Sequence, residues 1–242
     1  MKMRLIHLVS FAVMVTVNYL ANALPINGKT TGELSDAYPN LFVPAGITFA
    51  VWGVIYLLLA VAVIPPLVTG RDNALNRTGW LFPLSCGLNV AWIAVWHYEQ
   101  VALSVLIMGG LLVTLIRLAR TASNGTDHLS RAAAGIYLGW ICIATIANVT
   151  ALLVHLRWDG FGLSPVLWTA VMIAAGCAIV LTTSMRLRNP FMGLVAAWAF
   201  AGIVLKRMDD YPAIAAIAGA AIVASLVLSA VVWKRRKGPA NA

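Results

Sequence analysis

Eight apolar runs, separated by short segments that hold nearly all of the charge, constrain this chain more than any other feature. The runs lie near residues 5–24, 44–69, 80–96, 101–119, 132–155, 165–184, 190–205 and 213–233. A helix of about 20 apolar residues crosses the roughly 30 Å hydrocarbon core of a bilayer. The sequence therefore predicts an all-α, polytopic membrane helix bundle with about eight transmembrane helices. Seven spans are the main alternative because the seventh run is short, and Pro65-Pro66 is predicted to close the second span.

The charged residues predict how these helices are oriented. Of the 17 Lys and Arg residues, only Lys29, Arg157, Lys206 and Arg207 fall on the side opposite the N-terminus when eight spans are assumed. Basic residues concentrate in cytoplasmic loops, so both termini are predicted to be cytoplasmic. The net charge of +9 is spread over short loops and not along one face, so we predict no nucleic-acid partner. With 10% charged residues, the chain leaves no room for a soluble domain.

The predicted spans contain none of the usual signs of catalysis. No Asp, Glu, Lys or Arg lies deep in a span, which argues against proton relays and ion pathways. The cysteines Cys86, Cys142 and Cys177 lie inside apolar runs without a CxxC pair, so neither a disulfide framework nor a metal site is predicted. The sequence has no P-loop, GxSxG or HExxH motif. We therefore predict no catalytic residues, and a membrane enzyme acting on a lipid or pigment is the weakest of three hypotheses.

Amides and aromatic rings remain as candidates for a binding site. Residues three and four apart are neighbours on a helix, and they form four stripes: Asn18 and Asn22; Phe49, Trp52 and Tyr56; Asn89, Trp92 and Trp96; and Tyr137, Trp140, Ala144 and Asn148. At 1.5 Å per residue, Asn18, Asn89 and Asn148 lie roughly 9 to 10 Å below the outer ends of their spans, and Trp52 lies roughly 12 Å below. The longest outer loop, about residues 25–42, lies above them. One interpretation is an outer-leaflet ligand chamber under this loop; the other is that the asparagines bond helices together.

Three motifs carry a resemblance to a known family. The segment FVPAGITFAVWGVIY, from Phe42 to Tyr56, resembles the second-helix signature of the TspO/MBR proteins (tryptophan-rich sensory proteins, translocator protein). LNVAW, ending at Trp92, resembles the third-helix LNxxW motif. YLGWICIATIAN, from Tyr137 to Asn148, resembles the fifth-helix YLxWxxFAxxLN motif. The resemblance covers about residues 1–157, and the chain resembles a longer bacterial branch with three additional helices.

The resemblance implies a five-helix bundle over residues 1–157 and a second part over residues 158–242. It also implies that the bundle binds hydrophobic ligands such as porphyrins and sterols under the first loop. Seven of the striped residues match motif positions associated with that chamber: Trp52, Tyr56, Asn89, Trp92, Trp140, Ala144 and Asn148. The chain departs from the family before the second helix, where the WxPP motif is replaced by a segment from Pro39 to Pro44, and at Ile143 and Ala147.

These observations lead to two principal functional hypotheses. The first is a non-enzymatic receptor or carrier for a hydrophobic small molecule, with a porphyrin, a carotenoid, a sterol-like compound or a lipid as the candidate ligand. The alternative is a structural or assembly subunit of a larger membrane complex. In that case the last three helices contact a second copy or another membrane protein.

Overall fold

The protein consists of helices that run between two ends of one bundle. The structure, a computed structural model, describes residues 1–24, 26–123 and 127–237. Its α-helices are α1 (Lys2–Ala23), α2 (Thr31–Asp36), α3 (Val51–Val63), α4 (Pro65–Thr69), α5 (Leu81–His97), α6 (Val101–Ala122), α7 (His128–His155), α8 (Pro165–Leu187), α9 (Phe191–Arg207) and α10 (Pro212–Lys237). Short 3₁₀ turns occupy Ile26–Gly28, Gly46–Ala50, Asn76–Thr78 and Gly160–Gly162. The described parts of the chain contain no strand, so the all-α prediction is confirmed.

The predicted spans agree with the helices to within four residues at the helix ends, apart from the start of the second span. Six helical segments, α1, residues 46–69, α6, α7, α8 and α10, are long and apolar enough to cross a membrane. The chain is therefore an integral membrane protein. Helices α5 and α9 have 17 residues each, or roughly 26 Å of helix. The count of eight spans stays a prediction, as do the predicted cytoplasmic termini and the basic tail, which continues past the described residues after 237.

The second crossing is interrupted but not closed at its two prolines. Helix α3 ends at Val63, and α4 begins directly at Pro65, with Ile64 still in the right-handed helical region. Pro65 and Pro66 occupy the first turn of α4, where the missing N–H of proline is tolerated. The carbonyl of Ala62 instead accepts a hydrogen bond from Asn73 Nδ2 at 2.5 Å. The prediction that these prolines close the span was therefore wrong, because a side chain replaces the lost backbone donor.

Polar contacts show that both termini lie at the same end of the bundle. Contacts link the successive segments there: Arg4 pairs with Asp72 at 2.7 Å, Asp127 accepts from Ala74 N at 2.9 Å, Asn189 donates to Arg131 O at 2.9 Å and Arg236 donates to Arg188 O at 2.9 Å. We call this end the termini end. The opposite end carries residues 26–43, and we call it the loop end.

Helix α9 is the packing centre for the last three helices. It contacts α7, α8, α10 and the turn at Gly46–Ala50. Gly202 makes this possible, since a Cβ there would collide with Thr48 Oγ1 and with Pro44. At the same contact Ala45 N donates to Gly202 O at 3.0 Å, and Trp198 Nε1 donates to Thr48 O at 2.9 Å. The last three helices therefore supply, through α9, the packing and hydrogen-bond partners of the residues that begin the second crossing.

Candidate functional site

A small chamber lies at the loop end, between the helices that carry the three motifs. Its volume is about 60 Å³. It is lined by Thr31, Ser35, Val43, Pro44, Phe49, Trp52, Trp92, Trp96, Met108, Trp140, Ile143, Ala144, Ala147, Asn148 and Ala151. We call it the motif chamber. The first four of these residues belong to the segment that follows α1, so this segment forms the cover of the motif chamber.

Aromatic rings from three helices form the walls. Trp52 lies with its ring centroid 6.4 Å from that of Trp140, at an interplanar angle of 80°, and Phe49 meets Trp140 edge-on at 5.9 Å. On α5, Trp92 and Trp96 stack at 5.7 Å with an angle of 14°. Edge-to-face and offset-stacked pairs are the favoured geometries for aromatic side chains. The motif chamber is therefore a mostly apolar site with aromatic walls.

The structure brings six of the eleven predicted site residues to the wall of the motif chamber: Phe49, Trp52, Trp92, Trp140, Ala144 and Asn148. The other five do not line it. Tyr56 stacks on Trp52 at 5.6 Å, and Tyr137 meets Trp52 edge-on at 5.9 Å, so both support the wall from behind. The remaining three are Asn18, Asn22 and Asn89.

These three asparagines lie on the α1 side of the bundle. Asn18 Nδ2 donates to Asn89 Oδ1 at 2.6 Å, which ties α1 to α5. Asn22 is exposed, and its amide donates to the carbonyl of Asn18 at 2.9 Å. Interhelical amide bonds of this kind hold membrane helices together. In this structure Asn18 and Asn89 therefore act as an interhelical pair.

Asn148 both lines the motif chamber and joins three helices. Its Oδ1 accepts from Trp92 Nε1 at 3.1 Å, and its Nδ2 donates to Ser104 Oγ at 2.9 Å. The amide therefore connects α7 to α5 and α6. Its polar atoms are engaged, so it contributes to the wall chiefly by fixing the indole of Trp92.

Three buried polar groups near this level have no hydrogen-bond partner among the described residues. They are Trp96 Nε1, Asn89 Nδ2 and Tyr56 Oη. Buried donors are nearly always paired with protein or water. Trp96 is the one of the three that lines the motif chamber, so its N–H is the donor available to a molecule bound there.

The cover of the motif chamber, residues 26–43, contains a short helix and is fixed at one edge to the turn after α5. Thr30 and Glu33 form a capping box that starts α2. Lys29 Nζ pairs with Glu99 at 3.0 Å, and Tyr38 Oη donates to the same carboxylate at 3.2 Å. The hydrogen bond from Lys29 holds the pKa of Glu99 below its usual value, and burial raises the pKa of Tyr38.

The other edge of the cover is fixed to the end of α9. Lys206 pairs with Asp36 at 2.7 Å. Arg207 Nε donates to Leu41 O at 3.1 Å, and its Nη2 donates to Asn40 O at 2.7 Å. A helix outside the three motifs thus positions the cover.

Comparison with known proteins identifies the family. A family model described as TSPO-like protein matches residues 4–232. The chain belongs to the TSPO-like protein family. The match extends through most of α10, so it reaches well beyond the 1–157 segment over which the motifs predict the resemblance. No curated protein and no solved structure matches this chain.

The sequence analysis did not predict the residues of the cover that line the motif chamber. No sequence motif includes Thr31, Ser35 or Val43. Met108 lies on α6, where the sequence analysis identified no stripe of candidate residues. The capping-box pattern of Thr30 and Glu33 was the available signal for a helix within the loop. Trp96 continues the stripe of Asn89 and Trp92, and this spacing does place it at the site.

In the described ranges, no group of three or more His, Cys, Asp and Glu side chains is placed to hold a metal ion. The motif chamber is a mostly apolar pocket whose lining also includes the indole of Trp96 and the polar side chains of Thr31, Ser35 and Asn148.

Proposed function

We propose that this TSPO-like protein is a membrane receptor or carrier that binds a hydrophobic small molecule in the motif chamber. The family generally binds hydrophobic ligands such as porphyrins. Apolar and aromatic walls with a few placed polar groups are typical of small-molecule sites. The candidate ligands are a tetrapyrrole, a carotenoid, a sterol-like molecule or a lipid.

The observation that carries this proposal is the unpaired indole N–H of Trp96 in the wall of the chamber. Around it, the tryptophans at 52, 92 and 140 supply flat apolar surface. A buried donor without a partner costs about 1–3 kcal/mol. A ligand that presents one acceptor to Trp96 and an apolar body to the other rings would recover this free energy.

The chamber must expand to accept such a ligand. Its volume of about 60 Å³ is well below the 300–1,000 Å³ typical of ligand pockets. The cover is the wall of the chamber that no spanning helix forms, so it is the part that moves in this proposal. We infer that binding displaces residues 31–44 and that the structure shows the closed form.

The test is equilibrium binding of a tetrapyrrole, a carotenoid and a sterol to the full chain in mild detergent. Ala144→Phe fills the chamber and is expected to weaken binding by about tenfold or more, since bulk in a packed site is poorly accommodated. Val149→Phe is the matched control, because Val149 is half-exposed on the same helix and does not line the motif chamber. Trp96→Phe is expected to weaken binding of ligands that carry an acceptor. Equal binding by all four proteins, with unfolding midpoints unchanged, would refute the site.

The assembly hypothesis is the second candidate, and one observation favours it. On α10, no described atom lies within 4 Å of the place where a Cβ on Gly219 would be, and Ala216 and Ala220 are exposed. Small residues on an outward helix face allow close helix contact in lipid. A consistent monomer by native mass spectrometry, with no co-purifying protein, would rule out this candidate.

We also propose the orientation and the location. The basic residues at the termini end support cytoplasmic termini in a bacterial inner membrane, and the last three helices support assignment to a longer bacterial branch of the family. A reporter at either terminus that is accessible only from the periplasm would contradict this orientation.

A further inference from the structure

A second and much larger cavity lies beside the motif chamber at the loop end. Its volume is about 590 Å³, within the range of small-molecule sites. It is enclosed by the ends of α7, α8 and α9, by the turn between α7 and α8, and by residues 35–43. We call it the side cavity. Two of its three helices, α8 and α9, lie outside the three sequence motifs.

One wall of the side cavity is apolar and aromatic. Leu153 from α7 and Met172 from α8 line it, together with the indoles of Trp158 and Trp168. These indoles meet at 4.8 Å with an angle of 61°, and Trp168 Nε1 donates to Gly160 O at 2.7 Å. The indole donor of Trp168 is already used, so this wall can offer a ligand chiefly apolar contact.

The other wall holds a guanidinium group. Arg207 is half-buried, and its Nε and Nη2 donate to the carbonyls of Leu41 and Asn40. These carbonyls orient the side chain but carry no net charge to neutralise it. Within residues 1–24, 26–123 and 127–237, Arg207 forms no ion pair, and its Nη1 makes no hydrogen bond to another residue. Planar guanidinium groups favour carboxylate and phosphate partners.

The acidic side chains that line the cavity are engaged elsewhere. Asp36 pairs with Lys206 at 2.7 Å. Asp159 Oδ1 accepts the backbone N–H of Phe161 at 3.0 Å and so caps the turn after α7. Asp210 and Asp36 also act on Arg207 through space, but neither forms an ion pair with it. Arg207 is thus a fixed cation beside an apolar wall, without a direct counter-ion among the described residues.

We propose that the side cavity binds an amphiphile with an apolar body and one anionic head, a carboxylate or a phosphate, with the head at Arg207 and the body against Met172. A charged group removed from water needs an opposite charge nearby, and Arg207 supplies it. An apolar body covers the wall formed by Leu153, Trp158 and Trp168. This site is separate from the motif chamber and does not depend on the function proposed for it.

The two cavities meet at the cover. Ser35 and Val43 line both of them. A molecule in the side cavity therefore lies against the segment that closes the motif chamber. Displacement of this segment would therefore connect the two cavities.

The experiment uses photoaffinity labelling of the full chain in lipid nanodiscs. The probes are a diazirine-bearing long-chain fatty acid, phosphatidic acid with the same diazirine chain, and the corresponding uncharged fatty alcohol. Labels are mapped by mass spectrometry. We expect both anionic probes to label residues near 150–154 and 168–172, and the alcohol to label them about tenfold less, as expected for loss of a charge-assisted hydrogen bond.

Labelling by the fatty acid alone would assign the site to free carboxylate amphiphiles, and labelling by phosphatidic acid alone would assign it to a bilayer phospholipid. Both outcomes support an anionic head. If the alcohol labels these residues as strongly as the acids do, the proposal that Arg207 binds an anionic head is overturned.

Variants test the position of the head and the body separately. Met172→Trp places an indole where the apolar body would lie and is expected to reduce labelling strongly, whereas Val171→Trp on the exposed side of α8 should leave it unchanged. Arg207→Gln is expected to reduce labelling by the acids about tenfold and Arg207→Lys to retain most of it, with exposed Arg157→Gln as the control. Labelling that survives both Met172→Trp and Arg207→Gln refutes the site. Ala144→Phe, which closes the motif chamber, should not change this labelling, so the two proposals fail independently.

Discussion

The two cavities at the loop end differ in size, in the residues that form them and in what they contact. The motif chamber of about 60 Å³ is built mainly from side chains within α3, α5 and α7, where aromatic pairs fill the space between helices. The side cavity of about 590 Å³ is built from helix ends and connecting segments. Side chains that face each other between packed helices fill most of the space between them, which explains the small chamber. Helix ends that diverge leave more space unfilled, which explains the large cavity.

The difference also separates two kinds of polar residue. At the motif chamber, Asn148 is saturated by Trp92 and Ser104, so its polarity serves the packing of the bundle. At the side cavity, Arg207 keeps a net charge and bonds only to carbonyls. Polar residues in the motifs therefore fix the scaffold, and the charge that can select a ligand comes from outside them.

The largest loss of stability is expected from a substitution at the contact between α9 and residues 44–48. Gly202→Ala places a Cβ against Thr48 and Pro44 and should lower the free energy of unfolding by about 3 kcal/mol, as overpacking does. Unfolding by a denaturing detergent measures it. Gly109→Ala on α6, where nothing lies within 4 Å of the added Cβ, should be neutral or stabilising. Equal stability of the two variants would show that α9 does not support the chamber.

The next largest effect is expected from truncating Val43, the side chain that separates the two cavities. Val43 is buried and lines both sites, so Val43→Ala should cost about 1–2 kcal/mol of stability and join the two spaces. The fatty-acid probe should then also label residues 92–96. Val68→Ala, at an exposed position, is the control. Labelling that stays confined to the side cavity would show that the cavities remain separate.

A smaller loss is expected at the amide that joins three helices. Asn148→Ala leaves Trp92 Nε1 and Ser104 without their partner and should cost about 1 kcal/mol, the usual scale for such bonds in membranes. Asn22→Ala removes only the bond of an exposed amide and should have little effect on the same unfolding measurement. A larger loss at Asn22 would contradict the assignment of Asn148 to the scaffold.

The smallest effect is a pH dependence of the cover. The pKa of Glu99 is held below its usual 4.5, first by the hydrogen bond from Lys29, with smaller contributions from Tyr38 and His155. The carboxylate therefore stabilises the cover fully above pH 4.5, and this contribution is lost as the pH falls through the lower value in the folded protein. Hydrogen exchange of residues 29–38, corrected for intrinsic rates, should quicken as the pH falls below 4.5.

The matching variants decide whether Glu99 is responsible. Glu99→Gln should exchange faster at neutral pH and lose the pH dependence, and Asp209→Asn in the exposed α9–α10 turn should behave like the unmodified chain. A pH dependence that persists in Glu99→Gln would assign it to another group.

The crossings could be predicted from the sequence because each is a long apolar run. The same periodicity placed Trp52, Trp92 and Trp140 around one space, since neighbours on a helix share a face. The spacing of residues could not decide the role of Asn89, because the sequence pattern is the same whether a buried amide binds a ligand or pairs with Asn18. The side cavity could not be predicted, since Met172, Trp158 and Arg207 come from separate segments without a common motif.

The close fit of Trp198 against Thr48 has a consequence for how the protein is made. The carbonyl of Thr48 accepts a hydrogen bond from a residue 150 positions later in the chain, and Ala45 N donates to Gly202 O. At 5–20 residues per second, the ribosome supplies that partner roughly 8 to 30 s after Thr48 has been synthesised. During this interval the N–H of Ala45 lacks the carbonyl to which it donates, although Thr48 O still accepts from Val51 N, and a backbone polar group left unsatisfied in lipid is costly. Insertion of this membrane protein is therefore complete only when α9 arrives, and until then the start of the second crossing must stay in contact with water or with the insertion machinery.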